Sequence, residues 1–185
     1  MNQVPEPTRR HESASHEAMV AEVTDGNDPA VAGRIGEQWA GLARNLRESA
    51  QALAALATQA GAAFEGPAGE ALRTTIAKAQ SWSGHATELS LTLSGAVVRQ
   101  AEIAARARDE MPPPVGYDPG AMIRQAAASG DLAALAGLSD AMAQRRAAAE
   151  EARQKAIDVL NARDAALRES VPGHFFEPPP ELGQR

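Results

Sequence analysis

Phe64-Glu65-Gly66-Pro67-Ala68 separates two long stretches whose apolar residues recur at helical spacing. Glycine enters the left-handed backbone region without steric cost, and proline at the first position of a helix has no N–H to waste. Gly66 and Pro67 together therefore predict a reversal of the chain followed by a new helix. Upstream, Ile35, Trp39, Leu42, Leu46, Ser49, Leu53, Leu56 and Ala60 follow one another in alternating steps of four and three, the 3.5-residue seam of helices that run alongside each other. Asp28-Pro29 supplies the start signal, a side-chain acceptor for the free N–H groups and a proline behind it. Downstream, Leu72, Ile76, Ala79, Ala86, Leu89, Leu93, Val97 and Ala104 mark one side of a second helix. That helix must stop at Met111, because Pro112, Pro113 and Pro114 cannot continue it. The reading is an antiparallel pair, helices 29–62 and 67–110, folded back at the corner. At about 1.5 Å per residue the second helix spans on the order of 65 Å, which implies a rod.

Further along, Pro112 to Pro119 forms a stiff connector, and Asp118-Pro119 repeats the start signal of Asp28-Pro29. A short helix, 119–128, is expected before the breaker Ser129-Gly130-Asp131, and a last helix over 131–170. Residues 1–27 are polar with no sustained period and read as a mobile N-terminal arm with at most one weak helical turn around Glu17 to Val23, and residues 171–185 as a Pro-rich extended tail. His174, Phe175 and Phe176 either dock on a partner or trail in solvent, and the second is the expectation. Residues 28–170 would make one elongated helical domain, and the fold class is all-α: an elongated bundle built on the long hairpin, with a short helix and a C-terminal helix added.

Composition points the same way. Of 185 residues, 44% are nominally hydrophobic, but 42 are Ala and only 31 are Leu, Ile, Val or Phe, so a thick core is not available. Ala loses no rotamer freedom in a helix and lets helices approach closely, which favours thin helices meeting along Ala-lined seams. The absence of Cys excludes a disulfide framework and any thiolate chemistry. A net charge of −6, with acids and arginines interleaved, offers no basic stripe for a phosphate backbone, so nucleic acid is not expected as a partner. Met1 to Val23 lacks the cationic start and apolar run of a Sec signal, and no window approaches a membrane span. With only Lys78 and Lys155 as lysines and seams of Ala, insertion into a membrane surface is not expected either.

Nothing in the sequence carries catalysis. His11 and His16 are five apart and fit no metal spacing; His85 and His174 stand alone. Carboxylate pairs such as Asp109 and Glu110, or Glu150 and Glu151, sit among arginines on helix surfaces rather than in a sheltered cleft. Gly33, Gly36 and Gly41 lie on a helix and follow no strand, so they make no phosphate loop. No enzyme, cofactor or metal is expected.

The corner Phe64-x-Gly66, with Trp82 18 residues beyond Phe64 and the stop at Glu110 and Pro112, resembles the hairpin tip and second long helix of type VII (ESX) secretion substrates of actinobacteria. The likeness is strongest to EspB-like secreted proteins and the PPE-type domain they contain. In that family the corner reads W-x-G; here Phe64 stands at the Trp position and Gly66 at the Gly position. Tyr117 to Pro180 resembles the family's connecting helix, final helix and Pro-rich exit, so the resemblance covers residues 28 to 180. The chain departs from the pattern twice. Phe64 has no indole N–H, and the Tyr-x-x-x-Asp/Glu export element is missing, since Tyr117 is followed four residues on by Ala121.

The resemblance implies a protein made in the cytoplasm and exported by the type VII machinery, without a cleavable Sec signal, to the cell envelope or beyond. It also implies Phe64, Gly66 and Trp82 as the export and turn motif. The missing element leads to a sharper expectation: an apolar stripe of Ile35, Trp39, Leu42, Leu46 and Leu53 is covered by a small helical PE-like or W-x-G-type partner, or by a second copy. The competing reading is a cytosolic scaffold or chaperone-like adaptor that uses the same hairpin.

Overall fold

The structure, a computed structural model, describes residues 11–26, 28–63, 66–173 and 176–181. Every element among them is a helix: a 3-10 turn at His11–Ser13, then α1 (His16–Thr24), α2 (Pro29–Ala63), α3 (Pro67–Glu110), α4 (Pro119–Ser129), α5 (Leu132–Ala136) and α6 (Leu138–Glu169). The protein is all-α, as its composition requires.

The start signals operate as capping chemistry predicts. Asp28 Oδ1 accepts from the N–H of Ala30 at 2.9 Å, and Asp118 Oδ1 from that of Ala121 at 2.9 Å, each with proline next in the chain. Gly66 adopts φ +89°, and its carbonyl oxygen accepts the first backbone bond of α3 from Glu70 N–H at 3.1 Å. The expected last helix, 131–170, is two helices. Asp131 caps α5, and Gly137 closes it by donating its N–H to Ala133 O at 3.0 Å, while its own carbonyl opens α6. A glycine in the path of a helix weakens it enough for a break to compete.

The chain divides into two compact units rather than a single domain over 28–170. One is drawn from Met1–Asn27 and Ile103–Glu169, the other from Asp28–Glu102 and Ser170–Arg185. In the first, Met19 and Val23 of α1, Ala107 of α3, and Ala156, Ile157, Val159 and Leu160 of α6 form the core, with Ala14 and Met111 packed against it. Helix α4 packs on α6, and α5 on both.

Within this unit the expectation of a mobile arm over 1–27 is corrected for residues 11–26. Ser15 caps α1 by accepting from Ala18 N–H, and His11, His16, Met19 and Val23 are buried. The weak helical turn expected around Glu17 to Val23 is the helix α1; two of the four buried positions are histidines, so no apolar period announces that it docks. They are held by polar partners far away in sequence: His11 Nε2 meets Asp164 Oδ2 at 2.8 Å, and His16 Nε2 donates to the carbonyl oxygen of Pro112 at 2.9 Å. Arg153 of α6 donates to the carbonyl oxygens of Glu12 and Ala14, and Arg163 pairs with Glu22 at 2.6 Å.

In the second unit the buried residues of α2 and α3 are small. Gly36 and Ala43 lie on α2, and Ser83, Ala86, Thr87, Ser90 and Ala96 on α3. The hydroxyls are satisfied inside α3 itself: Thr87 Oγ1 donates to Ser83 O at 2.8 Å and Ser90 Oγ to Ala86 O at 2.7 Å. Such a face is nearly flat, so backbones come close. A Cβ placed on Gly36 would stand 2.9 Å from Val98 Cγ2 and 3.4 Å from the carbonyl oxygen of Ser94.

Candidate functional site

The small-residue face leaves the bulky side chains of α2 beside it rather than on it. A helix turns about 100° per residue, so Ile35, Trp39 and Leu42 stand to one side of the Gly36–Ala43 line. Ile35 is 42% exposed and Leu42 41%, while Trp39, Leu46 and Leu53 are half-buried. On α3, Trp82 and Leu89 occupy the corresponding flank of Ser83 and Ser90.

Across this flank runs the segment that follows α6 in the chain. The Phe176 ring stacks on Trp39, with centroids 5.9 Å apart and planes inclined by 22°. Such a pair contributes about 0.5–1.5 kcal/mol beyond the area it covers. One residue on, the carbonyl oxygen of Glu177 accepts a hydrogen bond from the Trp82 indole N–H at 3.1 Å. Pro178, Pro179 and Pro180 follow, with no regular secondary structure, no N–H to satisfy and φ fixed by their rings. A groove of about 340 Å³ opens beside the segment, lined chiefly by Trp82, His85, Leu89, Thr92, Phe176 and Glu177.

The expectation that Phe176 trails in solvent is therefore corrected: it has a specific aromatic partner. His174 and Phe175 lie outside the described residues. So does Phe64 of the expected motif, whereas Gly66 has the left-handed φ that its place at the corner requires and Trp82 is half-buried in the groove. Trp82 and Trp39, expected in separate roles, are brought together by Phe176-Glu177. Two signals in the sequence could have pointed to this segment: an aromatic residue held by a run of prolines, and two tryptophans on neighbouring helices with nothing else aromatic nearby.

A second polar cluster, in the other unit, holds structure together. Arg163 bridges Glu22 and Asp164, and Asp164 also meets His11. Burial pushes the Asp164 carboxyl up, but its bonds to His11 and Arg163 and their charges outweigh that, and the net shift is downward from its ordinary 3.8. Among the described residues no group of three His, Cys, Asp or Glu is placed to hold a metal ion, and no helix is long and apolar enough to cross a membrane. Trp39 offers a face to a ring and Trp82 one directed hydrogen bond to a carbonyl, and the groove beside them offers contact. Comparison of the sequence with models of known families and with characterised proteins finds no match.

Proposed function

We propose that this chain is a non-enzymatic type VII (ESX) secretion substrate or secretion-associated protein, EspB-like, that works by packing a long antiparallel helical hairpin against a partner or against further copies at or outside the cell envelope. The observation that carries the reading is the corner: a left-handed Gly66 directly before Pro67, between helices Pro29–Ala63 and Pro67–Glu110, with Ile35 and Leu42 left exposed on the first. Exposed branched side chains on one flank of a helix lose apolar contact with water when a second helix covers them, at about 25 cal/mol per Å². A small helical PE-like or W-x-G-type protein has the shape for that cover.

The test is export. In a cell with an intact type VII ATPase the tagged chain is expected in the envelope or medium, and Gly66→Ala, which places a Cβ at φ +89°, is expected to abolish it. Retention in the cytoplasm with the ATPase intact, and no response to Gly66→Ala, would overturn the reading. One observation favours a second: Tyr117 is followed by Ala121, so the chain supplies no Tyr-x-x-x-Asp/Glu element at that tyrosine. On that reading the protein is a cytosolic helical scaffold or chaperone-like adaptor. It would then capture a helical partner from the cytoplasm and stay there.

A further inference from the structure

Most of the molecule's polar clusters are already occupied with structure: His11, Asp164, Arg163 and Glu22 hold α1 to α6. The Phe176-Glu177 contact is of another kind. It joins a short segment without secondary structure to two helices through one ring face and one backbone carbonyl, and Phe176 keeps 42% of its surface in water. This is how grooves read extended proline-rich peptides: aromatic walls take a side chain, and an indole N–H takes a main-chain carbonyl that the peptide cannot use in secondary structure of its own.

We infer that the flank of α2 and α3 between Trp39 and Trp82 is a peptide-binding site for an extended segment of the type aromatic, any residue, Pro, Pro, and that in the isolated chain its occupant is the chain's own Phe176–Glu181. Trp39 selects the ring, Trp82 fixes the register through the Glu177 carbonyl, and Pro178 to Pro180 keep the segment extended at little entropic cost. Glu177 contributes its carbonyl; its side chain is exposed, so the identity of the residue at that position is not read. The occupied state covers one face of Trp39, between Ile35 and Leu42. Seating of the segment and cover of that stripe by a helix therefore compete. Tethering makes the internal occupant hard to displace, since a short tether gives an effective concentration in the millimolar range. The inference rests on the contacts of Trp39 and Trp82 alone and stands independently of export.

Trp39 and Trp82 are the only tryptophans, so their fluorescence reads the site directly. Full-length protein and full-length Phe176→Ala are compared by acrylamide quenching, with Trp39→Phe and Trp82→Phe assigning the signals and circular dichroism checking helicity. Loss of Phe176 is expected to raise quenching of Trp39 at least twofold. A synthetic peptide of residues 173–181 is then expected to reverse this saturably in Phe176→Ala, and to bind the wild-type chain at least tenfold more weakly. The same peptide with Ala in place of Phe176 should not bind. Trp82→Phe, in a Phe176→Ala background, removes one hydrogen bond of about 0.5–1.5 kcal/mol and should weaken the peptide roughly two- to tenfold. Equal quenching in wild type and Phe176→Ala, or equal binding of the Phe and Ala peptides, would overturn the inference. Should Phe176→Ala lose helicity, Phe176→Leu combined with Trp82→Phe, which removes both the stacked ring and the hydrogen bond while keeping apolar bulk, supplies the comparison, and unchanged Trp39 quenching there would overturn it equally.

Discussion

Ser94 Oγ donates a hydrogen bond to the carbonyl oxygen of Gly36 at 2.8 Å, joining α3 to α2 across 58 residues of sequence. Position 36 has no side chain, which suits this close approach: a Cβ there would crowd Val98 Cγ2 at 2.9 Å and touch the Ser94 carbonyl oxygen at 3.4 Å, whereas Gly33 and Gly41 on the same helix have nothing within 4 Å of that position.

Substitutions at these glycines should therefore separate by sign. Gly41→Ala gains helix propensity at no steric cost and is expected to stabilise the protein by about 0.5–1 kcal/mol. Gly36→Ala gains as much but must shift Val98, and should come out within about 1 kcal/mol of wild type. Gly36→Leu overpacks the contact and should destabilise by about 1–3 kcal/mol. Urea unfolding followed by helical circular dichroism orders the three. Gly36→Leu as stable as wild type would mean that the close approach is absent in solution.

The same contact predicts a register. With Gly36 beside Ser94, an antiparallel pairing of the two helices would bring residue 40 of α2 near residue 90 of α3, with axes about 8–10 Å apart at such contacts. Spin labels at exposed neighbours of these positions should give one short, narrow distance distribution. Long distances, or a broad distribution, would remove the hairpin on which the secretion reading depends.

Met19 and Leu160 are 0% exposed at the centre of the other unit, and together they join α1 to α6. Leu160→Ala is expected to cost about 2–5 kcal/mol, as truncations of fully buried Leu do. Because α1 is short and depends on this packing, amide exchange over residues 16–24 should accelerate more than exchange in α2. Unchanged exchange in α1 would show that the segment does not dock on α6.

Asp164 gives that docking a dependence on pH. Its folded carboxyl lies below its ordinary 3.8, so the unfolded chain takes up the proton first as pH falls, and the folded state loses stability. The contribution is complete above about 3.8 and is lost as pH falls through the lower folded value. Asp164→Asn should destabilise the protein at neutral pH, and the gap to wild type should narrow as pH falls below 3.8. Acid titration of the melting temperature for both proteins measures this; a gap that widens below pH 3.8 would contradict it.

The long helices and their limits were legible in the chain because capping and breaking are local. Asp28-Pro29, Gly66-Pro67, Pro112 and Asp118-Pro119 act on backbone groups within a few residues, and α2, α3 and α4 begin and end where these residues put them. The flank carrying Ile35 and Leu42 was legible too, since helical spacing assigns faces. What the pattern could not reveal was which face meets the neighbouring helix. The apolar seam suggested the bulky side chains, whereas the buried line runs through Gly36, Ala43, Ser83, Thr87 and Ser90, whose hydroxyls look polar in sequence and are satisfied within α3.

The sequence by itself determined an all-helical protein, the limits of its long helices and the absence of Cys chemistry, because propensity, caps and composition act without reference to distant residues. Only the tertiary structure decided that residues 11–26 are an ordered part of a core and that Phe176 rests on Trp39. Both depend on partners far off in the chain. His11 finds Asp164, His16 finds the Pro112 carbonyl and Trp82 finds the Glu177 carbonyl. A polar or isolated aromatic side chain carries no periodic signal, and its burial is favourable only once folding has brought up the group that satisfies it.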